Sequence, residues 1–110
     1  MDWQQVTKGG LIMLGKTWYV YVGSSWVGTV DPVGNSGDWI EANFHEGDHW
    51  GNFAPWFTRA FDAYHAGDDG TWDDVYGQLA TMGIVLEAED GERYENPTLL
   101  INGGSAWIAT

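Results

Sequence analysis

The chain has 110 residues, 44% of them hydrophobic and 15% aromatic, with eight tryptophans; this predicts one domain over residues 1–110 and excludes a disordered chain. Sixteen acids face four bases (Lys8, Lys16, Arg59 and Arg93), for a formal net charge of -12. That charge excludes ordinary binding to nucleic acid or to an anionic membrane surface and favours a basic protein partner.

At the N-terminus, MDWQQVTKGG lacks the basic start and apolar middle of a secretory leader. No apolar run approaches the ~20 residues of a membrane helix. The expectation is a soluble, cytoplasmic protein. Residues 11–14 (LIML) form a short apolar run, and residues 17–22 (TWYVYV) are rich in β-branched and aromatic residues. Two strands joined at Gly15-Lys16 are predicted there. Gly23-Ser24-Ser25 turns the chain into a strand over residues 26–30. Residues 31–37 (DPVGNSG) are dense in turn formers and predict a loop. Residues 38–44 (DWIEANF) fit two readings. Trp39, Ile40 and Phe44 suit one side of a short helix, with Asp38 and Glu41 at capping-box spacing; a strand of similar length fits as well.

Residues 52–66 carry the clearest helical pattern. Phe53, Trp56, Phe57, Ala60, Phe61 and Tyr64 make one apolar stripe, Pro55 is tolerable in a first turn, and Gly67 is a stop signal. A second helix is predicted over residues 72–82, with Thr71 as N-cap, Asp73-Asp74 near its positive end, and Trp72, Val75, Tyr76, Leu79 and Met82 facing inward. Residues 84–88 read as a strand, Asp90-Gly91 as a hairpin turn, and residues 93–101 as a return that Pro97 marks as an edge or a break. Gly103-Gly104 turns into a last strand over residues 106–109. The fold class is therefore α+β: an antiparallel β-sheet, made of an N-terminal meander and C-terminal hairpin strands, with two central helices packed on it.

There are no cysteines, so disulfides and Cys-based metal sites are excluded. His45-Glu46-x-x-His49 spells HExxH, which on a helix sets two imidazoles on one face with a glutamate beside them. Downstream, residues 70–77 (GTWDDVYG) read G-T-x-D-x-x-Y-G. The two motifs in this order resemble the aspzincin (deuterolysin-type) zinc peptidases, across thirteen residues in all. The resemblance implies zinc held by His45, His49 and Asp73, Glu46 as general base and Tyr76 as a transition-state donor. The residues themselves favour a turn over the helix this needs: Gly47 and Asp48 are poor in a helix interior, and Gly51-Asn52 breaks the pattern. A small zinc hydrolase is accordingly the second reading of function. His65, at the end of the first helix, is read as a cation-capable residue favourable with the helix dipole.

The carboxylates fall into three groups: Asp38, Glu41, Glu46 and Asp48; Asp62, Asp68, Asp69, Asp73 and Asp74 around the interhelical turn; and Glu87, Glu89, Asp90, Glu92 and Glu95 on the C-terminal hairpin. Carboxylates along a surface can occupy a basic groove built for phosphates. The leading expectation is a non-enzymatic acidic inhibitor of a basic, nucleic-acid-handling protein, of the nucleic-acid-mimic, anti-CRISPR, anti-restriction or immunity-protein type. Its binding surface is expected at Glu87, Glu89, Asp90, Glu92 and Glu95, at Asp68, Asp69, Asp73 and Asp74, and at Trp39 and Trp50. Trp18, Trp26, Trp56 and Trp72 are assigned to the core, and Trp3, Trp39, Trp50 and Trp107 to exposed contacts. A carbohydrate-binding module is a third reading, because tryptophans also stack on sugars.

Overall fold

A computed structural model describes residues 15–109. The strand expected at residues 11–14, Trp3 and Lys8 lie outside the described residues. Among the described residues, seven strands form one antiparallel sheet: Trp18–Val22 (β1), Ser25–Ser36 (β2), Trp39–Glu46 (β3), Ile84–Ala88 (β4), Arg93–Glu95 (β5), Thr98–Asn102 (β6) and Ser105–Ala109 (β7). Helices Trp50–Ala66 (α1) and Asp69–Met82 (α2) fall between β3 and β4 in the chain. The architecture is the α+β fold expected.

The strand order β5-β4-β1-β2-β3-β7-β6 places β5 and β6 at opposite edges, yet only Asn96-Pro97 separates them in the chain. Laid flat, six strand spacings would hold those edges about 29 Å apart, whereas three Cα–Cα steps from Glu95 to Thr98 reach at most about 11 Å. The sheet therefore curls until its edges nearly meet. Asn96 makes the corner. It adopts a left-handed backbone (φ 53) that asparagine tolerates, its N–H donates to the Ile84 carbonyl (2.7 Å), and its side-chain oxygen accepts from the Ile84 N–H (3.3 Å). Pro97 has no N–H to leave unpaired at the gap. On the β6 side of the gap, the Tyr76 hydroxyl of α2 donates to the Pro97 carbonyl (2.9 Å) and accepts from the Leu99 N–H (2.8 Å). Helix α1 packs along β6, so backbone that an edge strand would expose is covered.

Alternate strand positions point inward. Trp18, Val20 and Val22 of β1, Ile40, Ala42 and Phe44 of β3, and Ile84, Leu86 and Ala88 of β4 are all buried, and Phe57 of α1 and Leu79 of α2 complete the same core. Residues 31–37 are not the expected loop. β2 continues through them and pairs with β3 from Gly28↔Glu46 to Ser36↔Trp39. An irregularity between Pro32 and Gly34 leaves Val33 as an extra residue, the usual way for a strand to absorb a proline. The turn itself is Gly37-Asp38, where Gly37 has φ 62. The ambiguous segment 38–44 becomes β3, because Ile40, Ala42 and Phe44 alternate into the core. Among the described residues, no helix is long and apolar enough to cross a membrane.

Two glycines behave oppositely. A Cβ on Gly28 would lie 2.4 Å from the His45 carbonyl oxygen and 2.6 Å from the Phe44 ring, whereas one on Gly77 would meet nothing within 4 Å. In urea denaturation, Gly28→Ala is expected to lose about 1–3 kcal/mol through overpacking, and Gly77→Ala to gain about 1 kcal/mol in helix propensity. Tyr76→Phe, which leaves the Leu99 N–H and Pro97 carbonyl without their partner, is expected to lose about 1–3 kcal/mol. A Tyr76→Phe variant as stable as the parent would show that these two bonds do not anchor α2 to β6.

Candidate binding surface

The histidine pair does not lie on a helix. His45 and Glu46 end β3, Gly47-Asp48 turn, and His49 is the residue before α1, with no side-chain capping bond. The turn is clasped against β2: the Gly47 N–H donates to the Val27 carbonyl (2.9 Å), and a Cβ on Gly47 would lie 3.0 Å from the Trp26 ring. The His45 Nε2 sits 3.1 Å from Asp31, whose carboxylate also accepts from the Thr17 hydroxyl at 2.5 Å. Asp73 is exposed on α2, and the Tyr76 hydroxyl is committed to the β6 backbone. Among the described residues, no three His, Asp or Glu side chains are grouped to hold a metal ion. The implied zinc set of His45, His49 and Asp73, with Glu46 and Tyr76 in catalytic roles, is therefore not assembled. Four-residue spacing shares a face only within a helix, and here a strand ends between the two histidines.

The joint between α1 and α2 is two residues long. Gly67 (φ 69) donates to the Tyr64 carbonyl and Asp68 N–H to the Ala63 carbonyl, the paired bonds of a Schellman stop. Asp68 also starts α2, accepting from the Thr71 N–H (3.1 Å) and hydroxyl (2.7 Å). It replaces Thr71 as the N-cap because its carboxylate, three residues upstream, reaches the free N–H that a cap must satisfy. Those hydrogen bonds hold the Asp68 carboxyl below its ordinary range. Around this joint Asp62, Asp69, Asp73 and Asp74 are exposed and make no ion pair among the described residues.

The hairpin acids are placed differently. Lys16 bridges Asp90 (2.7 Å) and Glu92, Arg93 pairs with Glu95 (3.2 Å), and the Tyr19 hydroxyl donates to Glu89 (3.1 Å). Hydrogen bonds to Asp90 and Glu92 hold the Lys16 ammonium above its ordinary range, and the bond from Lys16 holds Asp90 below. Glu87 stands opposite Tyr19 on one side and Arg93 on the other. Lys16, distant in sequence, thus compensates charge that the local sequence leaves open.

Beside the joint runs a chain of aromatic contacts. Trp39 meets Tyr64 edge-on (5.7 Å, 82°), Tyr64 meets Trp72 (5.7 Å, 62°), Trp72 stacks on Tyr76 (4.4 Å, 13°), and Phe61 stacks on Trp107 (5.5 Å, 29°). Trp39, Tyr64, His65, Leu100 and Trp107 line a shallow cleft of about 220 Å³, with Tyr64 44% exposed. Trp39 and Trp107 are half-buried at its walls. Trp50, expected at the surface, instead packs between Phe44 (4.7 Å) and Phe57 (5.5 Å). Of the four tryptophans assigned to the core, Trp18 is fully buried, while Trp26, Trp56 and Trp72 are only half-buried. Tyr64 and His65 as cleft residues carried no signal in the sequence, because Trp39 and Trp107 reach them from other elements.

The chain matches no protein-family model, no curated protein and no solved structure.

Chemically, the surface offers carboxylate acceptors beside aromatic faces, and both attract cations. One consequence concerns the joint itself. With its folded-state pKa depressed, Asp68 contributes stability that is present above its unfolded value near ~3.9 and lost as pH falls through the lower folded value. Asp68→Asn, which retains a capping oxygen but no charge, is expected to keep most of the stability at pH 7 and to flatten its decline below pH ~4. Thermal melts from pH 2 to 7 measure this; parallel declines in parent and variant would contradict it.

Proposed function

We propose that this protein is a small, non-enzymatic acidic binding protein that engages a basic, nucleic-acid-handling protein in the cytoplasm and competes with that partner's nucleic acid. Nucleic-acid mimics of the anti-CRISPR, anti-restriction and immunity-protein type work in this way. One observation carries the reading: in a chain of net charge -12, Asp62, Asp69, Asp73 and Asp74 are exposed around the helical joint and make no ion pair among the described residues. Asp69 and Asp73 are four residues apart on α2 and share a face, where like charges repel. A basic groove relieves that repulsion and supplies steering that accelerates encounter. The hairpin acids Glu87, Glu89, Asp90, Glu92 and Glu95 extend the charged surface, with Lys16 and Arg93 tempering it. At the cleft Tyr64 meets Trp39 and Trp72 at steep angles (82° and 62°), which suits side-chain contacts better than the flat row a sugar-binding platform needs.

The test is competition. Purified nucleases and other nucleic-acid-binding proteins are titrated with this protein in the presence of labelled duplex, over a range of salt. Displacement that weakens steeply with salt is expected for the partner. Replacing Asp62, Asp69, Asp73 and Asp74 with Asn is expected to slow association by ~10-fold or more and to flatten the salt slope. Reversing Glu87, Glu89 and Glu92 is a poorer test, since it also frees Lys16. Displacement indifferent to both salt and the four substitutions would sink the proposal.

A further inference from the structure

The outer face of β3 and β7 sets a glutamate beside an indole. Glu41 stands opposite Trp107 in the strand register and two residues from Trp39 on its own strand. Side chains so placed share a face, with Cβ atoms about 4.5–5.5 Å apart across the strands and about 7 Å apart along one. Glu41 is half-buried and makes no ion pair or hydrogen bond through its side chain among the described residues. Trp107 is the wall between two depressions. One is the aromatic cleft already described; the other, of about 170 Å³, is lined by Val33, Glu41, Asn43 and Ser105 as well as Trp107. Val33, the extra residue of the β2 irregularity, is 61% exposed beside it.

Size and charge select the occupant. Both depressions fall below the ~300 Å³ at which small-molecule sites begin, so they suit single side chains of a protein. A carboxylate with no ion pair among the described residues, in a chain of net charge -12, favours a cation beside it. The indole beside it favours a planar one: a guanidinium stacks on the ring while its N–H fork meets the carboxylate, whereas an ammonium is a compact point charge that prefers water.

We propose that an arginine side chain of the basic partner stacks on Trp107 with its guanidinium against Glu41, its flanking apolar atoms resting on Val33. This rests on the acidic-binder reading above and names the residue type that reading leaves open. Arginine then supplies selectivity among basic surfaces, and the acids of the α1–α2 joint supply long-range attraction.

The experiment uses two hexapeptides of equal charge, one with three arginines and one with three lysines, titrated at intermediate salt by NMR of the indole N–H signals. The arginine peptide is expected to bind ~5-fold more tightly and to shift the Trp107 indole signal. Glu41→Gln, a near-isosteric change at the surface, is expected to bring it down to the lysine level. Trp107→Leu is expected to do the same, but it also removes the Phe61 stack, so Glu41→Gln decides. Equal binding of the two peptides, or an arginine preference that survives Glu41→Gln, overturns this inference. If both peptides also lose affinity when Asp69, Asp73 and Asp74 become Asn, the acidic-binder reading stands without it. If neither peptide binds at any salt, both readings fall.

Discussion

Everything in this molecule hangs on the two-residue crossing from β5 to β6. It joins opposite edges of a seven-stranded sheet, so the sheet has to curl, and the gap it leaves has to be filled by something other than a strand. The Tyr76 hydroxyl fills it by serving one carbonyl and one N–H of the β6 side at once. Burial pushes that hydroxyl up to about 12, so it remains a neutral donor throughout the physiological range. Its ring, fixed by those bonds, stacks on Trp72; Trp72 meets Tyr64, and Tyr64 meets Trp39. The residue that ties α2 to the start of β6 is therefore linked through Trp72 to Tyr64, which lines the aromatic cleft.

Charge is distributed against this frame in two ways. At the hairpin, Lys16 and Arg93 draw acids into local pairs that are exposed and individually weak. At the α1–α2 joint the acids make no ion pair among the described residues, although Arg59 lines the same depression as Asp62 and Asp68 and one of the acids has a structural task. Asp68 receives the end of the first helix and caps the start of the second, so the angle between the helices depends on one carboxylate and one left-handed glycine. Self-repulsion there works against stability, while the capping bonds of Gly67 and Asp68 hold the two helix ends together.

Much of the fold was legible along the chain. The stripe from Phe53 to Tyr64, the stop at Gly67, the strand at residues 84–88 and the interruption at Pro97 all follow from local pattern, and each is present in the structure. The misreadings share a cause. DPVGNSG is rich in turn formers, yet β3 alongside imposes a ladder on it, and the sheet absorbs Pro32 with one extra residue. HEGDH has the spelling of a metal site, but its second half leaves the strand and passes so close to Gly28 and Trp26 that the backbone there is set by contact with β2. Trp50 lay in a polar stretch and was placed at the surface, whereas the turn carries it back between Phe44 and Phe57.

By itself, the sequence determined the strongly acidic charge, the α+β class, the two helices and the alternation that buries one face of each strand, because these depend on composition and on periods of two or 3.6 residues. Only the tertiary structure decided which acids are compensated, which tryptophans reach the surface, and whether the two histidines and Asp73 meet. Those questions turn on groups far apart in the chain: Lys16 on Asp90 and Glu92, Tyr76 on Pro97 and Leu99, Glu41 beside Trp107. Such contacts are created by pairing strands and packing helices that lie far apart in the chain, and no local pattern encodes them.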